Sequence, residues 1–183
     1  MKKKAILLGL AFACVAGLVY AAVEDFSSKV IDIGMVVTDL DESMTFYKDV
    51  IGMVQVDRSE FDIDSDFGER SGLTDNLPFH VEVLKLGGGD FATELKLMSF
   101  GDLPEKQENE FIHTQTGIQY ITIRVTQLEP VIARLEEAGV ELLGDTPIEL
   151  RGRDHFVLVQ DPDGTFVELI GPMSMRKRFN VFD

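Results

Sequence analysis

IGMVVTDLD (Ile33–Asp41) and ITIRVTQLE (Ile121–Glu129) are two versions of one pattern. Ile33, Val37, Thr38, Leu40 and Asp41 stand against Ile121, Val125, Thr126, Leu128 and Glu129 at one fixed separation, so the chain carries one supersecondary unit twice. In each copy a short apolar strand, Val30 to Val37 or Ile118 to Val125, leads into a helix. Asp39 with Glu42 resembles a capping box for the first helix, and Thr126 with Glu129 makes one for the second. Apolar residues then recur at helical spacing: Leu40, Met44, Tyr47 and Val50 as far as Gly52, and Leu128, Val131, Ile132, Leu135 and Ala138 as far as Gly139. Such stripes are core, and Pro130 falls in the first turn, where a missing donor costs least.

Strand-like segments follow each helix. Val81 to Leu86 turns at Gly87-Gly88-Gly89-Asp90 into Phe91 to Phe100, and Phe156 to Val159 turns at Asp161-Pro162-Asp163-Gly164 into Thr165 to Ile170. Each unit therefore reads as strand, helix, then about three strands. Between Asp57 and Phe79 lies a polar, acidic insertion. Asp62, Asp64, Asp66 and Gly68 suggest a calcium loop, but the glycine comes one position late and Leu73 stands where a bidentate glutamate belongs, so the insertion reads as a solvated loop overhanging a site.

The 183 residues suit one domain or two tightly joined modules, and 45% apolar content is enough for a real core. Seventeen basic residues against 32 acidic ones leave a net charge of −15, which repels phosphate backbones and argues against a nucleic-acid partner. The sole cysteine, Cys14, lies in the N-terminal apolar stretch, which excludes cysteine nucleophiles, thiolate zinc sites and disulfides from the folded part.

Lys2, Lys3 and Lys4 precede an uncharged run over 5–23, and Val19-Tyr20-Ala21 offers a cleavage site. Residues 1–21 read as a secretory signal peptide, with an uncleaved membrane anchor as the alternative. Either way the domain over 22–183 is expected outside the cytoplasm, periplasmic or extracellular, or tethered to the membrane through its N-terminus.

Ile33 to Tyr47 (IGMVVTDLDESMTFY), Asp90 to Leu95 (DFATEL), Gly117 to Gly139 and Asp161 to Leu169 (DPDGTFVEL) together resemble the vicinal oxygen chelate superfamily of glyoxalases, bleomycin-resistance proteins and extradiol dioxygenases. The resemblance implies an α+β fold of two βαβββ modules, about 29–100 and about 117–172, forming a curved mixed-sheet cup with helices packed outside. It also implies a divalent metal held by residues on the first and last strands of each module, a small-molecule ligand, and a homodimer.

Carried over residue by residue, the family's glutamates are Glu94 and Glu168, candidates for base or metal ligand. The family's two histidines are replaced by Asp32 and Tyr120. His80, His113 and His155 lie elsewhere and read as surface or loop residues, although His155, near the DPDG turn, is placed to reach a bound molecule.

Strand alternation sets Lys96 beside Glu94, and Arg124 beside Tyr120, on the same faces. Carboxylates converging without compensation repel, which leaves two readings. In one, a divalent ion is held by Asp32, Glu94 and Glu168; an all-oxygen set suits magnesium, manganese or calcium better than zinc. In the other, Lys96 and Arg124 neutralise the same acids and no metal is needed.

The first reading gives an exported lyase or isomerase in which the ion polarises a substrate oxygen and Glu94 or Glu168 moves a proton, with Lys96, Tyr120, Arg124 and His155 binding substrate. The second gives a metal-free binding protein of the bleomycin-resistance type, whose acidic surface attracts a cationic guest. Dioxygenase chemistry is disfavoured by the lost histidines. Glyoxalase I activity is disfavoured by the export of the domain away from a cytoplasmic thiol cosubstrate.

Overall fold

Two helices give this chain its common core, and each is started and stopped by different chemistry. Helix α1 begins at Leu40, where the Asp39 side chain accepts from the Glu42 N–H at 2.9 Å. It runs as an α-helix over Leu40–Met44 and widens into a π-helical segment over Thr45–Ile51. The sequence predicts one uniform helix. Widening instead brings Phe46, Tyr47, Val50 and Ile51 onto one buried face, a broader stripe than the even spacing of Leu40, Met44, Tyr47 and Val50 describes. Gly52 ends it in the left-handed region, at φ 96°.

The computed structural model describes residues 26–89, 91–101, 105, 106 and 108–174, so the expected signal or anchor over 1–21 lies outside the described residues. Among the described residues no helix is long and apolar enough to cross a membrane. All regular elements fall within the compact unit Asp32–Asp183.

The first module contains β1 (Ile33–Val37), α1, β2 (Val54–Ile63), α2 (Ser65–Ser71), β3 (Phe79–Lys85) and β4 (Glu94–Ser99). Its four-stranded sheet has the order β1-β4-β3-β2, with β1 parallel to β4 and the remaining pairs antiparallel. The second module contains β5 (Tyr120–Arg124), α3 (Glu129–Glu137), β6 (Ile148–Glu149), β7 (Asp154–Gln160) and β8 (Phe166–Pro172), and repeats the arrangement as β5-β8-β7-β6. The fold is the expected α+β pair of βαβββ modules, built as two mixed sheets and, among the described residues, no closed barrel.

The acidic stretch after Asp57 departs from its reading as a loop. β2 extends through it to Ile63, and Asp64 caps α2 by accepting from the Phe67 N–H at 2.8 Å. An edge strand whose polar positions are charged hides its alternation, and charge is how such edges avoid pairing with other chains. The apparent calcium-loop acid Asp64 is a helix cap. In the second module the expected box of Thr126 and Glu129 does not form, and α3 starts after Leu128 without a side-chain cap.

One face of each sheet, together with α1 and α3, forms a single core: Leu84, Leu95 and Leu97 from the first sheet, Val157, Val167 and Leu169 from the second, Tyr47 and Leu135 from the helices. Alternation then puts Glu94, Lys96 and Glu168 on the opposite faces, away from that core.

Candidate functional site

The turn Asp161-Pro162-Asp163-Gly164 does more than reverse the chain. Asp161 Oδ1 accepts from the Asp163 and Thr165 N–H groups at 3.1 and 2.7 Å, while its Oδ2 accepts from the buried Tyr47 hydroxyl at 2.7 Å. Asp163 Oδ1 accepts from the Thr38 N–H at 3.0 Å and from the Thr38 hydroxyl at 2.5 Å. Both aspartates therefore clasp the first module to the second. On α3, Arg134 donates to the Val50 and Ile51 carbonyls at 2.7 and 3.0 Å, satisfying the end of α1.

Burial pushes the Asp161 carboxyl above its usual value, against the opposing pull of the Tyr47 hydroxyl and the Thr165 N–H. Burial and the neighbouring Asp161 push the Tyr47 phenol well above its own range, so it remains a donor.

Beside this clasp lies a cleft of about 360 Å³ between the first strands of the two modules. Ile33, Gly34, Val36, Ile118 and Ile121 supply apolar walls, and Glu105, Lys106, Asp163 and Thr165 supply polar ones. Val36 and Ile118 are exposed at 47% and 82%, so the apolar lining is open to a ligand.

The residues singled out from the sequence do not form one cluster. Glu94, at the start of β4, is ion-paired with Lys85 at 2.9 Å and lies 3.9 Å from Lys96. Lys96 also reaches Asp32 at 3.3 Å, so one ammonium stands between the two acids. Glu168 sits on β8 and accepts a hydrogen bond from the Thr122 hydroxyl of β5. Among the described residues no ion pair or hydrogen bond joins Glu94 with Glu168, and neither lines the cleft.

Tyr120 and Arg124 share the face of Glu168. Tyr120 is exposed, and Arg124 borders a second recess with Gly52, Leu86 and Val125. His155 alternates with Leu158 and so lies on the other face of β7 from Glu168, its Nδ1 3.2 Å from the Arg153 carbonyl.

An ion held by Asp32, Glu94 and Glu168 does not fit this arrangement. Lys85 and Lys96 already stand where the charge of a cation would stand for two of the three carboxylates, and an ammonium donates protons to the lone pairs a metal needs.

A different group escaped the sequence reading. Glu60, His80 and Glu82 present ligand atoms within 4.8 Å of one another on the other face of the first sheet. Two signals pointed there, the alternation of His80 with Glu82 and of Glu60 with Asp62. Reading the second pair as loop concealed that these two strands pair. The hydrogen bond to Asp62 raises the His80 imidazole above its usual range.

The chain matches the Glyoxalase/Bleomycin resistance protein/Dioxygenase superfamily over residues 29–169. No curated protein matches it. A glyoxalase family protein from Bacillus cereus shares the fold with a TM-score of 0.63 at 16% identity, over 81% of this chain and 95% of that one. The trypanothione-dependent glyoxalase I of Leishmania major gives 0.56 at 21% identity, over 79% and 87% of the two chains. An antibiotic binding protein from a Streptomyces species gives 0.51 at 21% identity, over 79% and 96%.

Proposed function

Because the chain belongs to the Glyoxalase/Bleomycin resistance protein/Dioxygenase superfamily, we propose that it is a binding protein for a small organic molecule, working without a metal in the family's position. The observation that carries this reading is the pairing of Lys85 with Glu94 and of Lys96 with Asp32, at 2.9 and 3.3 Å. A lyase or isomerase of the glyoxalase type would need its cation where those ammonium groups stand.

The ligand site is the cleft between β1 and β5. Its volume of about 360 Å³ suits a small molecule, and its walls combine apolar surface with a few polar groups. The net charge of −15 favours an apolar guest carrying a positive charge, by raising its concentration near the surface. The presence of an antibiotic binding protein among the structures of this fold agrees with such a use. We place this binding outside the cytoplasm on the sequence of residues 1–21 alone, which N-terminal sequencing of the mature protein tests.

A thermal-shift screen of hydrophobic amines, matched carboxylic acids and neutral amides tests the reading. The amines are expected to raise the melting temperature by several degrees, and a chelator is expected to leave that ligand-induced shift unchanged. Val36→Arg, which fills the cleft at an exposed position, is expected to abolish the shift while leaving the unliganded fold intact. A shift seen only with acids, or only with added divalent ions, refutes it.

A further inference from the structure

The face of the first sheet turned away from Lys96 carries a group that small-molecule binding does not use. Glu60 on β2 lies directly opposite Glu82 on β3, and Asp62 lies directly opposite His80. Two carboxylates facing each other across an antiparallel pair repel unless something positive stands between them.

The imidazole is held in one orientation. Its Nδ1 is 2.7 Å from Asp62 Oδ1, and because a carboxylate only accepts, Nδ1 is the donor. Nε2 then faces Glu82 Oε1 at 3.7 Å. The other oxygen of Glu82 accepts from Gln55 Nε2 at 3.0 Å, and Gln55 Oε1 accepts from Lys48 at 3.2 Å, so this carboxylate is also oriented from behind. Glu82 is nearly covered while Glu60 is exposed, which gives the group one fixed acid and one that can swing in. A carboxylate gripping the far nitrogen of an imidazole, with the near nitrogen turned toward further carboxylates, is the arrangement that ligating histidines adopt around zinc.

We propose that Glu60, His80 and Glu82 bind one divalent transition-metal ion of the zinc class, with Asp62 and Gln55 orienting the ligands and water completing the shell. One nitrogen and two carboxylate oxygens suit zinc better than calcium or magnesium, which take oxygen alone. Tetrahedral zinc with bonds of about 2.0–2.2 Å requires ligand atoms roughly 3.3 Å apart. His80 Nε2 and Glu82 Oε1, at 3.7 Å, are already close to that spacing. The ion would tie the edge strand β2 to β3. The site lies on the opposite face from Asp32 and Glu94 and is independent of the binding cleft.

The full chain, stripped with a chelator and dialysed, is titrated with zinc chloride by calorimetry at mildly alkaline pH, and its melting is followed in parallel. One equivalent of zinc is expected to bind and to raise the melting temperature. His80→Gln and Glu82→Gln are each expected to weaken binding at least about 100-fold, and Asp62→Asn about 10- to 100-fold. Asp62 is exposed, so its variant serves as a readout even if the others fold poorly, while Glu94→Gln is expected to bind as the parent does. Cobalt in place of zinc should give a tetrahedral visible spectrum that His80→Gln removes. No binding by the parent, or unchanged binding by the His80, Glu82 and Asp62 variants, overturns the proposal.

Discussion

Module 1 closes its sheet with β2, ten residues long, whereas module 2 closes with β6, two residues long. The same contrast runs through the two sheets. In module 1 the face of Glu94 holds two lysines and an acid before β1, and the opposite face holds the group around His80. In module 2, among the described residues, the equivalent glutamate, Glu168, meets the Thr122 hydroxyl and no ammonium, and no strand of β2's length supplies a counterpart to Glu60. Strand order and core are common to both copies because burial constrains them. Positions outside that shared core carried no such constraint on either face, and there the charged chemistry collected on one module.

The largest effect that tests this asymmetry concerns two glycines. A Cβ on Gly171 of β8 would sit 2.5 Å from the Val125 carbonyl oxygen, whereas one on Gly34 of β1 would meet only the terminal methyl of Met98, at 3.2 Å. Gly171→Ala is expected to cost about 3 kcal/mol in chemical denaturation, because backbone cannot yield, and Gly34→Ala less than about 1 kcal/mol. Equal losses would mean that the junction of β5 with β8 is no tighter than that of β1 with β4.

Next in size is the clasp that joins the modules. Tyr47→Phe leaves a buried carboxylate short of a donor and is expected to cost about 1–3 kcal/mol. Asp161 adds a pH dependence whose sign follows from its raised carboxyl. The folded chain holds a proton that the unfolded chain releases near the ordinary value of 3.8, so the parent should lose stability as pH rises from there through the folded value. Asp161→Asn should flatten that part of the profile in paired melts, and an unchanged slope would assign it to other groups.

The smallest effect on stability comes from the lysine that bridges two acids. Lys96 is about one-third exposed, so Lys96→Gln is expected to change stability by no more than about 1 kcal/mol. Its value lies in a second readout. With that ammonium gone, Asp32 and Glu94 should gain affinity for calcium or manganese that the parent lacks at this face. If the variant gains none, the lysine is not what displaces a metal there.

The duplication, both helices and the strands flanking the DPDG turn were legible, because burial writes them as periodic apolar spacing. The acidic stretch after Asp57 was misread for the converse reason. A charged edge strand and a capped helix are solvated, and polar sequence alone does not distinguish them from a loop. Asp161 and Asp163 were visible as turn residues, but their bonds to Tyr47 and Thr38 were not, since those partners lie more than a hundred positions away.

Sequence by itself determined two copies of a βαβββ unit and their core faces, since both are local in the chain. Tertiary structure alone decided which charges meet. Lys96 reaches Asp32, and His80 meets Asp62, Glu60 and Glu82, only through strand register, and register is set by how the core packs and not by the charged residues it brings together.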